Sequence, residues 1–398
     1  MPAEPQSRRF SFSRVLAAIK SAWTRGSPFA AATALFPTND EGKYIIQAEG
    51  IRLAFTNHGG ALTNLWINDT HGQEIDIVMG FDQADYYPRY EGNPFLNGAI
   101  GRYAGIISNA QFELGGVNHQ VSANAHTSKG TIPMTWNGGE HSWGRTTLDI
   151  GSHTENSITF VLFDRSWNGI PGTAASCLTH TVTPYEWRIA FGVTPTRKPS
   201  PINISQQVFW NLDGLSGNSS SSSAQTILEH ELHLPFSGLR IGTDDEGIPT
   251  GDLKANKKGS PYDFWSAPKT VGHYGIGKPG GRGYDDTFLI SRFQPWKKED
   301  HPVASLSSAR SGIKVELYTD QEALHVHTWN NKPDQVPLKR KQGTGIVPEY
   351  GAISLEMQDW TDGINNPQWQ RESKTVWGMD GLYTTFSTYK FSVDGAAR

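Results

Sequence analysis

The chain has 398 residues, 36% of them hydrophobic and 11% aromatic, with 35 Lys and Arg against 39 Asp and Glu for a formal net charge of -4. Scattered basic residues exclude the charged stripe that nucleic acid requires, and no run approaches the roughly 20 apolar residues of a membrane helix. Cys177 is the only cysteine, which excludes an internal disulfide and a cysteine-based zinc site. What remains is a cytoplasmic protein able to bury a large core, with a small and mostly neutral molecule as its expected partner.

Residues 1–36 stand apart as an N-terminal extension. Arg8 to Arg25 carries five basic residues and no acidic one, with Phe10, Val15, Leu16, Ile19 and Trp23 spaced roughly as on a helix. This is the pattern of a flexible or targeting-like segment, and Lys20 and Arg25 interrupt what a secretory signal would need. Residues 37–398 are expected to form a single domain. From Tyr44 onward, runs rich in Val, Ile, Phe, Tyr, Trp and Thr are punctuated by Gly, Pro, Asn and Asp. Ile51–Phe55, Trp187–Val193, Ile313–Tyr318 and Tyr389–Val393 alternate apolar with polar or small residues at period two, which predicts half-buried antiparallel strands. Many short strands with 42 Gly and 23 Pro between them predict an all-β fold built as a large antiparallel β-sandwich. Asn218–Ser223 reads as a polar surface loop. Lys332–Gln342 reads as a second exposed loop, basic at Lys339, Arg340 and Lys341.

A series of motifs in chain order resembles the galactose mutarotase, or aldose 1-epimerase, superfamily from about Tyr44 to Val393. Asn93-Pro-Phe-Leu-Asn-Gly-Ala-Ile-Gly-Arg102 resembles the family's Asn-Pro-Tyr-Phe-Gly-Ala-(Thr)-Ile-Gly-Arg segment, and Gly169-Ile-Pro-Gly172 resembles its Gly-Tyr-Pro-Gly turn. Asn203-Ile-Ser-Gln-Gln-Val-Phe-Trp-Asn-Leu212 is similar to Asn-Leu-Thr-Asn-His-Ser-Tyr-Phe-Asn-Leu. Ile248–Gly251, Tyr262–Phe264, Gly283–Phe288 and Ser354–Trp360 complete the order. The resemblance implies a supersandwich fold that opens and recloses a sugar ring. A carboxylate takes the anomeric proton, and a histidine protonates the ring oxygen. It places the carboxylate at Glu356, a sugar-binding arginine at Arg102 and a hydroxyl-accepting aspartate at Asp285.

Both histidine positions depart from the pattern. One falls on Gln207 and the other on Asn137, and an amide has no proton to give at neutral pH. The segment before Asn137 is about six residues longer than is usual in the family and contains His126, a relocated acid if the loop folds over the cleft. Val208, Phe209 and Trp210 replace Ser, Tyr and Phe, and Tyr350 stands near a further family histidine. Trp210 and Tyr350 are therefore expected to line a cleft more apolar than a hexose prefers. His325 and His327 share one strand face at period two but have no third ligand in view, so no metal and no cofactor are expected. Three functions follow from these residues. The first is an aldose 1-epimerase-like isomerase with Glu356 as base. The second is a repurposed isomerase or cyclase acting on a less polar specialised metabolite. The third is a non-catalytic carbohydrate-binding protein.

Overall fold

The computed structural model describes residues 36–92, 95–127, 130, 132–215, 225–275, 283–292, 298–330, 335–379 and 381–394. The extension lies outside the described residues except for Phe36, whose ring meets His153 edge-on at 6.2 Å. Asn218–Ser223 also lies outside them.

Two large sheets and one smaller sheet enclose the core. The nine-stranded sheet runs Asp149–His153, Ser157–Arg165, Thr173–Thr183, Glu186–Thr196, Tyr383–Val393, Ile313–Thr319, Ala304–Ser307, Glu231–His233 and Lys269–Thr270. The six-stranded sheet runs Phe209–Trp210, Ile353–Gln358, Ala323–Thr328, Asp285–Leu289, Leu239–Thr243 and Pro249–Ala255. Tyr44–Ala48, Ile51–Phe55, Leu62–Asn68 and Glu74–Asp76 make a four-stranded sheet. Strand neighbours in all three sheets are antiparallel, as the hairpin-like punctuation of the sequence requires. The four strands expected from alternation all form within these sheets. Among the described residues no helix is long and apolar enough to cross a membrane.

One apolar cluster joins the inner faces. Ile158, Leu178, Trp187 and Val315 come from the nine-stranded sheet, Leu324, Val326 and Leu355 from the six-stranded sheet, and Leu53, Phe55 and Leu65 from the four-stranded sheet. Trp187 stacks on Tyr389 at 4.6 Å, and Trp210 lies against Tyr389 at 5.4 Å. Truncating one buried leucine of such a cluster to alanine costs about 2–5 kcal/mol. Cys177 is a buried thiol on Thr173–Thr183, and burial pushes its pKa up to about 11, so it acts as a small core residue.

In the described part of the 332–342 segment, Arg340 and Lys341 are exposed as expected of a solvated basic loop, but Lys339 departs from that expectation. Lys339 is buried, and its Nζ donates to Asp76 Oδ2 at 2.7 Å and to the carbonyls of Thr63 and Val78 at 2.5 and 3.0 Å. A buried ammonium needs this complete set of acceptors. The lysine therefore ties the segment to the four-stranded sheet.

Two buried histidines make the fold sensitive to acid. His180 is packed among Phe55, Phe160 and Trp187 with neither ring nitrogen hydrogen-bonded, and burial depresses its pKa to about 3. His230 accepts the Leu212 N–H at Nε2 as a neutral ring, and burial lowers its pKa to about 4. Both folded values lie below the unfolded value near 6.5, so the unfolded chain binds more protons in this range. Stability should be intact above about pH 6.5 and should fall toward pH 4 by up to roughly 1.4 kcal/mol per pH unit for each histidine. Urea midpoints measured across this window check the slope, and His180→Phe should flatten it.

Candidate active site

Alternation along the six-stranded sheet separates core from site. Leu324, Val326 and Leu355 point into the sandwich. Their neighbours His325, His327, Ser354 and Glu356 point the other way. Register aligns these residues in two rows. Glu356 faces His325, which faces Thr287, while Ser354 faces His327, which faces Asp285. Directly opposed side chains on adjacent antiparallel strands have Cβ atoms about 4.5–5.5 Å apart.

Glu356 is 3% exposed. Its Oε1 accepts hydrogen bonds from Gln207 Nε2 at 3.0 Å and Ser354 Oγ at 2.8 Å. Its Oε2 accepts none among the described residues and is not among the atoms sealed from solvent. One oxygen is thus fixed and the other is left for a substrate hydroxyl. Gln207 is itself anchored. Its backbone N–H donates to Gly98, and Asn97 holds the flanking residues by taking the Phe209 N–H at 2.8 Å and the Gln206 side-chain amide at 2.6 Å. The Gln207 carbonyl oxygen is sealed from solvent without a donor.

Asp285 accepts from His325 Nε2 at 2.9 Å and lies 3.4 Å from His327 Nδ1, with both contacts on Oδ1. His325 Nδ1 meets Thr287 Oγ1 at 3.0 Å. Burial disfavours the His325 imidazolium, but the Asp285 hydrogen bond and charge, with Glu356 and Asp286 behind it, outweigh burial and raise its pKa to about 9. The neighbouring His327 and His325 hold the Asp285 pKa below the usual carboxylate range, although 66% of its side chain is exposed to solvent, which screens the effect.

Asn137 forms another wall. Its Oδ1 accepts the Gly105 N–H at 2.9 Å, and its own N–H donates to the Gly105 carbonyl at 2.8 Å. Gly105 has φ +76, and a Cβ there would overlap Thr361 Oγ1 and lie 3.4 Å from Gln358 Nε2. The absent side chain lets this wall close on Gln358, whose Nε2 is buried and unpartnered. Trp136, the residue before Asn137, is 38% exposed and meets Phe95 edge-on at 5.0 Å.

Four positions fall elsewhere than expected. Arg102 is buried and its fork is spent. Nε donates to Asp164 Oδ2 at 2.9 Å, Nη1 to the carbonyls of Pro171 and Gly172 and to Ser200 Oγ, and Nη2 to the Asp164 carbonyl. With Asp164 as its counterion at 2.5 Å, the arginine braces the interior and offers no donor to a sugar. Trp210 is fully buried against Trp187, Tyr389 and Phe391, because parity that turns Gln207 and Phe209 outward turns Val208 and Trp210 into the core. Tyr350 belongs to the same core cluster. His126 is exposed on Ala125–His126, the outer strand of a three-stranded sheet, paired with Pro133. Pro133 is three residues and about 10 Å along the strand from Trp136, and His126 makes no hydrogen bond or ion pair among the described residues.

The third partner of His325 and His327, which the sequence left out of view, is Asp285. The signal was present, since Asp285 had been singled out on its own motif, but register between strands 40 residues apart was needed to unite them. Ser354 and Asn97 were missed as residues that position the carboxylate and Gln207.

A buried carboxylate and a histidine–aspartate cluster thus share one face of one sheet of a β-sandwich. The aldose 1-epimerase family profile matches residues 42–376, and the chain belongs to that family. Epimerase FSL3 of Gibberella zeae is 60% identical over an aligned length of 400 residues, covering 95% of this chain and 91% of that protein. A probable aldose 1-epimerase of Arthroderma benhamiae is 26% identical, covering 88% and 86%. In structure, the GalM/aldose epimerase homologue from C. elegans matches with a TM-score of 0.75 at 19% identity, over 88% of this chain and 99% of that one. That likeness shows the fold.

Loss of the Arg102 guanidinium should unfold rather than merely unbind. Arg102→Met leaves Asp164 buried without its counterion and should cost about 3–5 kcal/mol, read as a drop in the urea midpoint. A sugar-binding arginine would instead show an unchanged midpoint and a raised KM.

Proposed function

We propose that the protein is an isomerase of the aldose 1-epimerase type that inverts a sugar or sugar-like hemiacetal, with Glu356 as general base. The observation that carries the reading is the asymmetric carboxylate, with Oε1 fixed by Gln207 and Ser354 and Oε2 free of partners among the described residues. Oε2 accepts the proton of the anomeric hydroxyl, the O1 electron pair becomes the carbonyl π bond, and the C1–O5 bond breaks with its electrons going to the ring oxygen. Rotation about C1–C2 then presents the other carbonyl face. O5 re-adds there, and Glu356 returns the proton to O1. The relatives named as epimerases support the reaction class. A base held by two donors also has little purpose in a pure binding module.

The Trp136–Phe95 pair beside Asn137 supports a second reading of the substrate. A half-exposed indole next to Asn137 in the chain would favour a hemiacetal that carries an apolar extension over a bare hexose. In this reading the protein is a repurposed isomerase or cyclase for a less polar metabolite.

Polarimetry with freshly dissolved α-D-glucose and α-D-galactose, run beside a 2-hydroxytetrahydropyran bearing an alkyl chain, separates the two substrates. Glu356→Gln should lower the rate on whichever hemiacetal turns over by about 10²–10⁴-fold with an unchanged melting temperature. Rates that survive this substitution would remove the base from the mechanism.

A further inference from the structure

The two histidines of Ala323–Thr328, together with Asp285 on the next strand, meet the requirements of a metal site. Asp285 Oδ1, His325 Nε2 and His327 Nδ1 converge from two adjacent strands, and the three ligand atoms lie within 4.8 Å of one another. Tetrahedral zinc with ligands at about 2.0–2.1 Å spaces them about 3.3–3.4 Å apart. The His327–Asp285 separation, 3.4 Å, already has this value. The His325–Asp285 separation, 2.9 Å, is that of a shared proton and needs to open by about half an ångström to take a metal ion.

The surroundings complete the arrangement. Thr287 Oγ1 holds His325 Nδ1 at 3.0 Å, the hydrogen bond from the non-ligating nitrogen that orients a metal-binding imidazole. The Phe209 ring lies edge-on to His327 at 5.8 Å and restricts its rotation. The Asp285 side chain is 66% exposed, so an ion would have an entry path and an open fourth position on the solvent side. All three ligands stand on strands with continuous register.

We propose that Asp285, His325 and His327 form a three-ligand binding site for a divalent transition metal, with zinc as the reference ion. Its existence does not depend on the epimerase reading, but its chemical use rests on that reading. Neither Gln207 nor Asn137 can protonate a ring oxygen. A metal ion held here, on the strands next to that of Glu356, would accept the O5 electron pair as C1–O5 breaks. The departing oxygen becomes a metal-bound alkoxide, and Glu356 keeps the anomeric proton. The alkoxide then attacks the other face of the C1 carbonyl while Glu356 returns the proton to O1. The sequence is balanced without an external acid.

The test uses the full chain, stripped with a chelator and dialysed, and titrated with zinc by calorimetry and with cobalt by visible absorption. The expected result is one ion per chain and the intense d–d bands of a low-coordinate cobalt site. Thr287→Val should weaken zinc binding by about 10–100-fold, and Asp285→Asn, His325→Gln and His327→Gln should each weaken it further. Thermal melts confirm that each variant is folded, and Thr287→Val, which leaves all three ligands in place, keeps the test valid if a ligand variant is not. Absence of saturable binding, or binding indifferent to all four substitutions, overturns the site. A chain that binds zinc but turns over no hemiacetal would overturn the epimerase reading and leave the metal site. A metal-free chain that epimerises through Glu356 and takes up no zinc would do the reverse.

Discussion

The alternation of side chains along two neighbouring strands, Ala323–Thr328 and Ile353–Gln358, is the constraint on which the rest of the site depends. Leu324, Val326 and Leu355 are fully buried, and a slip of one residue in either strand would carry them onto the polar face and bring His325, His327 and Glu356 into the sandwich. Each buried aliphatic contributes about 1.5–3 kcal/mol, and an uncompensated buried charge costs several more. The register is therefore fixed by the core, and the positions of the polar groups follow from it. A site held this way needs no loop to order it before a ligand arrives.

Buried polar ties do for the loops what apolar packing does for the strands. Arg102 with Asp164, Lys339 with Asp76, and Asn97 with the flanks of Gln207 each satisfy several groups that irregular backbone would otherwise leave unpaired. This explains how a motif can persist without its residues touching a ligand. The segment from Asn93 to Arg102 has an arginine that braces the interior and an asparagine, Asn97, that positions the amide at the carboxylate.

The fold and the buried position of Glu356 were legible in the sequence because each depends on local pattern. Period-two runs gave the strands, and the motif around Glu356 gave a carboxylate in an otherwise apolar strand. Gln207 was legible for the same reason and meets Glu356 directly. Trp210 and Tyr350 were misplaced because their motif gives residue type but not parity, and parity is decided by which face the core claims. Arg102 was misplaced because a guanidinium suits a sugar and a buried aspartate equally well, and only the position of Asp164, 62 residues away, decides between them. His325 and His327 were correctly paired on one face, yet their partner Asp285 depended on register across a third strand.

The spending of Arg102 on the interior changes the electrostatics of the face. With no guanidinium there, the carboxylates of Glu356 and Asp285 are answered by imidazoles, and the same Asp285 oxygen serves both His325 and His327. The rise in the His325 pKa and the fall in that of Asp285 have one cause, the pairing of the Asp285 carboxylate with the imidazoles, in which the carboxylate demands positive charge beside it. A proton fulfils that demand on one imidazole, and a divalent ion would fulfil it on all three ligands at once. The two amides at positions 207 and 137 are consistent with this arrangement. Gln207 donates to Glu356 without adding charge, so it fixes the base in place while leaving the positive charge on the opposite strand. If Glu356 acts as the base, a cation bound on the adjacent strand would supply the second group that opening a hemiacetal ring requires.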